Sequence, residues 1–161
     1  MIDLELHKQK VQKKSKEHNN LFKRLKKIKS KELDQKINQA HDKVFENMNC
    51  LNCANCCKTT SPIFSDKDIQ RISKFLRIKP SELTHKYLKI DKDNDFVLKS
   101  SPCLFLQDDN KCSIYDVRPK ACKGYPHTDR VKQSSILNLT KKNVEVCPAV
   151  FNIVEKLNSS F

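Results

Sequence analysis

The sequence of 161 residues contains no tryptophan and a single glycine, Gly124. Loops that cradle phosphate groups through their backbone need several glycines, so the composition excludes a P-loop and a dinucleotide-binding fingerprint. No apolar run approaches the roughly 20 residues that a membrane-spanning helix needs. The chain therefore lacks the common means of binding nucleotides, and we expect no membrane partner.

The amino-terminal residues 1–16 alternate charged with isolated apolar side chains and lack the apolar stretch of a secretory signal. We therefore expect a cytoplasmic protein, in which thiols stay reduced. Only 37% of the residues are hydrophobic, so a core held together by metal would compensate for modest apolar burial. The length predicts one domain with an appended arm.

Cysteine is the most informative residue that is present, because four of the eight cysteines lie within residues 50–57. Two CxxC steps share Cys53, and a CxxC turn commonly directs two thiolates at one soft metal. Consecutive side chains diverge, so we expect Cys56 and Cys57 to face two different sites, or one metal and one buried partner. We predict that all eight cysteines converge, namely Cys50, Cys53, Cys56, Cys57, Cys103, Cys112, Cys122 and Cys147.

A disulfide framework is the alternative that an even number of cysteines permits. The missing secretory signal, the lysine-rich composition and the crowding of residues 50–57 count against it. A thioredoxin-like redox motif would need one cysteine pair beside a βαβ pattern, which the sequence lacks. The spacing therefore favours metal ligands.

The formal net charge of +13 raises the question of a nucleic-acid partner. The basic residues are mostly lysine rather than arginine, and no aromatic residues alternate with them to stack on bases. We favour a bias in base composition as the origin of the charge, and keep a basic nucleic-acid-associated protein as an alternative.

Residues 1–47 are predicted to form a basic amphipathic helical arm, because residues 1–49 contain no glycine, proline or cysteine. Apolar residues recur at helical spacing from Leu21 to Met48, which predicts one long helix or two helices joined near residues 29–31. We expect the apolar stripe to pack on the parent domain or on a second copy, so that this helix could receive a protein partner.

Residues 48–161 are predicted to form a compact cysteine-cluster metal-binding domain. The predicted fold is mainly α with a small β-hairpin. A strand is predicted at 96–98, and a hairpin across 101–115 would place Cys103 and Cys112 side by side. Residues 131–142 have weak patterning and are predicted to be a surface excursion. Helices are predicted at 65–77 with a Ser65–Asp68 capping box, at 80–88, at 116–122 with Pro119 in its first turn, and at 149–157.

Four strings together resemble the CxxCxxCC (YkgJ-like) family of zinc- or iron-chelating proteins over about residues 48–150. They are the run from Cys50 to Cys57, residues 102–106, residues 112–122, and Cys147 with Pro148. The resemblance implies that all eight cysteines are metal ligands in a small intracellular protein. Relatives of this family include flagellin lysine-N-methylases and proteins called iron-sulfur oxidoreductases.

Two interpretations of the metal stay open. Two closed tetrathiolate sites would hold zinc and stabilise the fold. Alternatively, four cysteines hold an iron-sulfur cluster, since Cys147 with Pro148 resembles the end of a ferredoxin motif. The first makes the chain a metal-binding protein, and the second a redox or protein-modifying enzyme. The residues leave open whether it is an enzyme, and they identify no catalytic group.

Arg118, Tyr125 and His127 lie near Cys122 in the sequence and could line a pocket or donate hydrogen bonds to the sulfurs. For Arg118 we favour a scaffold ion pair with Asp116 or Asp66. Exposed helix positions are expected for four other histidines, His7, His18, His41 and His85.

Overall fold

The computed structural model describes residues 2–161. Over that range the chain is mostly helical, with eight α-helices and one two-stranded antiparallel sheet, which confirms the predicted fold class. The helices are α1 Leu4–Leu25, α2 Ser30–Phe45, α3 Asn55–Thr59, α4 Asp66–Leu76, α5 Pro80–Tyr87, α6 Lys120–Gly124, α7 Leu137–Val146 and α8 Pro148–Ser159. The strands are β1 Leu88–Ile90 and β2 Phe96–Leu98.

The internal contacts divide the chain into two units. Unit 1 comprises the residues up to Cys53 together with Pro126–Phe161, and unit 2 comprises Ala54–Tyr125. The boundary expected between an arm, 1–47, and a domain, 48–161, stays a prediction.

Unit 1 is built around α1, α2 and α8. Of the two predicted alternatives, the structure has two helices, since α1 ends at Leu25 and α2 starts at Ser30. The apolar stripe predicted on these helices is buried within this unit, so it packs on the parent chain. The core includes Leu21, Leu25, Leu33, Ile37, Val44, Val150, Ile153, Val154 and Leu157.

The expectation of a surface excursion at 131–142 is wrong. A 3₁₀ turn at Gln133–Ile136 leads into α7, whose Leu137 is buried. The carboxylate of Asp34 on α2 accepts the backbone N–H groups of Lys132 and Gln133 at 2.9 and 2.7 Å. The segment is ordered by a partner about a hundred residues away in sequence, which a local pattern cannot reveal.

Unit 2 has its own core around α4, α5 and the sheet. The predicted capping box opens α4, with the Ser65 hydroxyl accepting the N–H of Asp68 and the Asp68 carboxylate accepting the N–H of Ser65. Phe75 on the same helix is 49% exposed. The core consists of Phe64, Ile69, Ile72, Leu83, Leu88, Leu98, Phe105 and Ile114.

The β-hairpin lies earlier in the chain than predicted. The predicted strand 96–98 is β2, and it pairs with β1 so that Leu88 lies opposite Leu98. The hairpin expected across 101–115 is wrong, since that segment has turns and an isolated bridge between Leu106 and Cys112. The N–H of Cys103 donates to the carbonyl of Cys57 at 2.7 Å, so it is not available to a strand partner.

The helix predicted over 116–122 is also displaced. A 3₁₀ turn covers Tyr115–Val117, and α6 begins only at Lys120. The break falls at Arg118 and Pro119, which have extended ψ angles of 153° and 147°. A residue before proline is disfavoured in the helical region, so the chain cannot pass from one helical turn to the next here.

None of the helices in residues 2–161 is both long enough and apolar enough to cross a membrane.

Candidate metal centre

The two units divide the eight cysteines, and none of these cysteines is in a disulfide. Unit 1 contains Cys50, Cys53 and Cys147, which we call the unit 1 thiol group. Unit 2 contains the other five. Four of them form what we call the unit 2 thiol group, namely Cys57, Cys103, Cys112 and Cys122.

Within unit 2, the charge of Cys57 acts on the three other thiols of the group. Burial is the largest cause that raises the pKa of Cys103, Cys112 and Cys122, and the charge of Cys57 raises all three further. The pKa of Cys122 reaches about 12, with contributions from Cys103 and Cys112 as well. Four thiols from separate segments of unit 2 thus share one neighbourhood.

Backbone contacts hold these segments together. The bond from the Cys103 N–H to the Cys57 carbonyl ties the loop before Cys112 to α3. Cys122 lies in the first turn of α6, where its N–H donates to the Pro119 carbonyl at 2.9 Å. Backbone hydrogen bonds therefore help to position the segments that contain Cys57, Cys103 and Cys122.

Backbone N–H groups near two of the sulfurs oppose the effect of burial. Those of Phe105 and Leu106 lower the pKa of Cys103, and that of Ile114 lowers the pKa of Cys112. Hydrogen bonds to a charged form favour that form. The thiolate is the form that binds metal, so this backbone suits metal ligation.

Arg118 lies near this group. Its charge lowers the pKa of Cys112 and Cys122, against the larger effect of burial. Its Nη1 donates to the Tyr115 carbonyl at 2.7 Å, and its guanidinium carbon lies 4.0 Å from the centre of the Tyr115 ring. These contacts with Tyr115 take the place of the ion pair expected with Asp116 or Asp66.

The adjacent Cys56 and Cys57 share a hydrogen bond, which is the largest cause of a strongly raised pKa at Cys57. Burial raises the pKa of Cys57 further. The expectation that these two cysteines face different sites stays a prediction.

Asp68 and Arg71 contact the segment that leads to Cys122, which the sequence pattern did not predict. Asp68 is 2% exposed, and its carboxylate accepts hydrogen bonds from Arg71 Nη2 at 2.7 Å and from the Lys120 N–H at 3.1 Å. Arg71 also donates to the carbonyls of Val117 and Arg118. The capping role of Asp68 is visible in the sequence, but its contact with the start of α6 is not.

The unit 1 thiol group is centred on Cys147. Burial raises its pKa to about 11, and the charges of Cys50 and Cys53 contribute in the same direction. The N–H groups of Val150 and Ala149 lower the pKa of Cys147, which caps α8. A helix N-terminus favours a thiolate.

In the conformation described for residues 2–161, no group of three or more His, Cys, Asp or Glu side chains is arranged so that it could hold a metal ion. The donor set nevertheless fits a thiophilic metal, since each thiol group consists of cysteines that are in no disulfide, and thiolate is the ligand that such metals prefer. Binding a metal would require the sulfurs to move towards one another.

The histidines are mostly structural. His7 and His18 were expected to be exposed but are 5% and 4% exposed. They flank the Phe151 ring at 5.7 and 5.4 Å because α1 lies against α8. His18 shares a hydrogen bond with Glu155 at 2.6 Å, and His7 shares one with the Glu145 carbonyl at 3.2 Å.

His41 is half-buried rather than exposed and shares a hydrogen bond with Thr128, whereas His85 is exposed as predicted. His127 has a positive φ of 66° and is half-buried, and burial lowers its pKa. A role for His127 or Tyr125 at a metal stays a prediction.

Comparison with known proteins adds to this geometry. Residues 49–148 match the CxxCxxCC family, which is described as a "Putative zinc- or iron-chelating domain". The chain is 30% identical over 90 residues to the uncharacterized protein MJ0661 of Methanocaldococcus jannaschii. That alignment covers 54% of this chain and 48% of the relative, so the chain spans about half the length of the curated relative that it matches. No solved structure matches the chain.

Proposed function

Because this chain belongs to the CxxCxxCC family of zinc- or iron-chelating domains, we propose that its eight cysteines bind zinc or iron. The observation that supports this most directly is that four cysteines outside any disulfide, Cys57, Cys103, Cys112 and Cys122, belong to one unit, in which the Cys103 N–H donates to the Cys57 carbonyl at 2.7 Å. Neighbouring thiols are costly to ionise together, and a bound cation removes that cost.

The unit 2 thiol group has the ligand number of a closed tetrahedral site. Four thiolates with no position left for water are typical of structural zinc. In unit 2 a metal would join α3, the loop that carries Cys103 and Cys112, and α6. Since these segments are far apart in sequence, metal binding would contribute directly to the folding free energy of the unit.

The unit 1 thiol group supports a second site, which includes Cys50, Cys53 and Cys147. Cys56 belongs to unit 2, and it is proposed as a further metal ligand because it lies in the CxxC pattern of residues 50–57. A reducing compartment such as the cytoplasm would keep these thiols available.

An iron-sulfur cluster is the second candidate, and Cys147 is the residue that favours it. It is the N-cap residue of α8, where burial raises its pKa and the N–H groups of Val150 and Ala149 lower it, and Pro148 follows it. Hydrogen bonds to cluster sulfurs tune the reduction potential. With a cluster there, the protein would carry electrons or take part in a redox or protein-modifying reaction.

Metal analysis of cysteine variants tests the proposal. The full chain is purified without oxygen, and its zinc and iron are measured for the wild type and for Cys112→Ser. The neighbouring exposed position provides the control, Ser113→Ala. We expect Cys112→Ser to lose metal and Ser113→Ala to retain the wild-type content.

The same measurement on Cys53→Ser examines unit 1. A loss that adds to that of Cys112→Ser in the double variant would support two sites. Full metal content in Cys112→Ser and in Cys53→Ser, with unchanged stability, would contradict the ligand assignment.

A further inference from the structure

The turn of unit 2 at residues 117–120 connects the segment of Cys112 to the helix of Cys122. Pro119 lies in this turn and has no N–H to donate. Arg118 and Pro119 are extended, so the backbone leaves the 3₁₀ turn after Val117 and does not enter α6 until Lys120. Backbone bonds hold the N–H groups of Val117 and Arg118 and the carbonyl of Pro119, whereas the carbonyls of Val117 and Arg118 are bound by a side chain.

Arg71 supplies donors to the turn from α4. Its Nε donates to the Val117 carbonyl at 3.3 Å and its Nη2 to the Arg118 carbonyl at 2.9 Å. The planar guanidinium can hold two neighbouring carbonyls at once, which the ammonium of a lysine does less well.

Asp68 completes the contact from the same helix. Its Oδ1 accepts Nη2 of Arg71 at 2.7 Å and the N–H of Lys120 at 3.1 Å. Its Oδ2 accepts the N–H and the hydroxyl of Ser65 at 2.9 and 2.8 Å. One buried carboxylate thus joins the start of α4, the guanidinium of Arg71 and the start of α6.

The position of residues 117–120 affects the unit 2 thiol group directly. The turn carries Arg118, whose side chain lies over Tyr115, and it precedes α6, which carries Cys122. A shift of the turn would move the Cys122 sulfur and the guanidinium of Arg118 together. Neighbours that orient the ligands of a metal are typically worth a large factor in affinity.

We propose that Asp68 and Arg71 are positioning residues for the unit 2 metal site. They hold residues 117–120 so that Cys122 and Arg118 are presented to Cys57, Cys103 and Cys112. This inference rests on the proposed metal-binding function. It means that Asp68 and Arg71 on α4 increase the metal affinity of unit 2 without binding the metal themselves.

The inference is tested by measuring the zinc affinity of the full chain in competition with a chromophoric chelator. The variants are Arg71→Ala, Arg71→Lys and Asp68→Asn, and the control is Lys74→Ala, an exposed basic residue of the same helix. We expect Arg71→Ala and Asp68→Asn to weaken zinc binding by about 10- to 100-fold, as for other residues that support metal ligands. Arg71→Lys should lie between Arg71→Ala and the wild type, and Lys74→Ala should match the wild type.

The absorption spectrum of the Co²⁺-loaded protein gives a readout that a merely structural role would not change. The thiolate-to-cobalt bands report the geometry of the sulfurs around the ion. We expect altered bands in Arg71→Ala and unaltered bands in Lys74→Ala. Loss of stability with unchanged zinc affinity and unchanged bands in the Arg71 and Asp68 variants overturns the inference.

A second substitution shows whether Arg71 acts through unit 2. The effect of Arg71→Ala on zinc affinity should disappear in a Cys112→Ser background and persist in a Cys53→Ser background. Equal effects of Arg71→Ala in both backgrounds overturn the inference.

If Cys112→Ser by itself removes no metal, the proposed function fails and not this inference alone. If Asp68→Asn does not fold, the Arg71 variants decide, since the Arg71 side chain is 41% exposed.

Discussion

Asp68 and His7 are buried titratable residues of the two units, and burial acts on them in different ways. Burial would raise the pKa of Asp68, but hydrogen bonds from Ser65, Arg71 and Lys120 together lower the pKa below 3.8. Burial lowers the pKa of His7 below 6.5, and its hydrogen bonds only reduce that shift. Each residue therefore makes stability depend on pH in its own range.

For Asp68 the dependence lies at acid pH. A carboxyl group with a lowered pKa in the folded state contributes stability above its unfolded pKa, near 4, and this is lost as the pH falls through the folded value. We expect Asp68→Asn to lower the free energy of unfolding by about 1–3 kcal/mol at neutral pH, because a buried charged acceptor is lost. Urea unfolding at pH 7 and at about pH 3 should show that the difference narrows at acid pH. An equal difference at both pH values would mean that the charge of Asp68 is not what stabilises the fold.

For His7 the dependence lies closer to neutrality. A histidine with a lowered pKa contributes stability above its ordinary pKa of 6.5, and this is lost as the pH falls below that value. We expect the wild type to lose more stability than His7→Gln between about pH 7.5 and pH 5.5. His85→Gln, at an exposed position, is the control and should follow the wild type. Parallel curves for all three proteins would show that His7 does not titrate on unfolding in this range.

At the scale of elements, the helices that were predicted correctly are those whose ends and buried faces follow from neighbouring residues in the sequence. The apolar stripe of α1 and α2, the capping box of α4 and the proline that opens α8 are all visible in the sequence. The predictions for residues 101–115 and 131–142 are wrong because hydrogen bonds to residues distant in the sequence determine the backbone conformation there. The Cys103 N–H bonds to the Cys57 carbonyl, and Asp34 holds the start of the turn before α7.

The packing of α1 on unit 1 leads to a stability prediction. Leu21 is fully buried in the core of that unit, whereas Leu6 on the same helix is 45% exposed. We expect Leu21→Ala to cost about 2–5 kcal/mol of unfolding free energy, because it leaves a cavity among α1, α2 and α8. Leu6→Ala should cost no more than about 0.5 kcal/mol. If chemical denaturation gave equal and small losses for both, α1 would be an arm whose docking adds little to stability.

At the scale of the whole molecule, the sequence located all eight cysteines but not their distribution. Three lie in unit 1 and five in unit 2, a division that depends on how residues 126–161 return to the amino-terminal helices. Nor could the sequence reveal Asp68 and Arg71 as neighbours of residues 117–120, since those contacts span 46 to 52 positions. Residue type and spacing predict which side chains could bind a metal, whereas contacts between residues distant in the sequence can be seen only in the structure.

Metal should stabilise the folded chain measurably. A ligand that binds only the folded state adds about 4 kcal/mol at a free concentration a thousand times its Kd. We expect added zinc to raise the melting temperature of the metal-free wild type under reducing conditions. In Cys112→Ser the rise should be smaller, and in Ser113→Ala it should equal that of the wild type. A melting temperature that does not respond to zinc in the wild type would show that the folded state has no zinc site.

The most direct test of the account is the metal content of the full chain, purified without oxygen, together with its absorption spectrum and a count of reactive thiols. The account predicts bound zinc or iron, with cysteines that react with a thiol reagent only after a chelator has removed the metal. Zinc without a visible band would indicate closed thiolate sites, and iron with labile sulfide and a broad visible band would indicate a cluster. A chain without metal whose eight cysteines react at once would contradict the central claim.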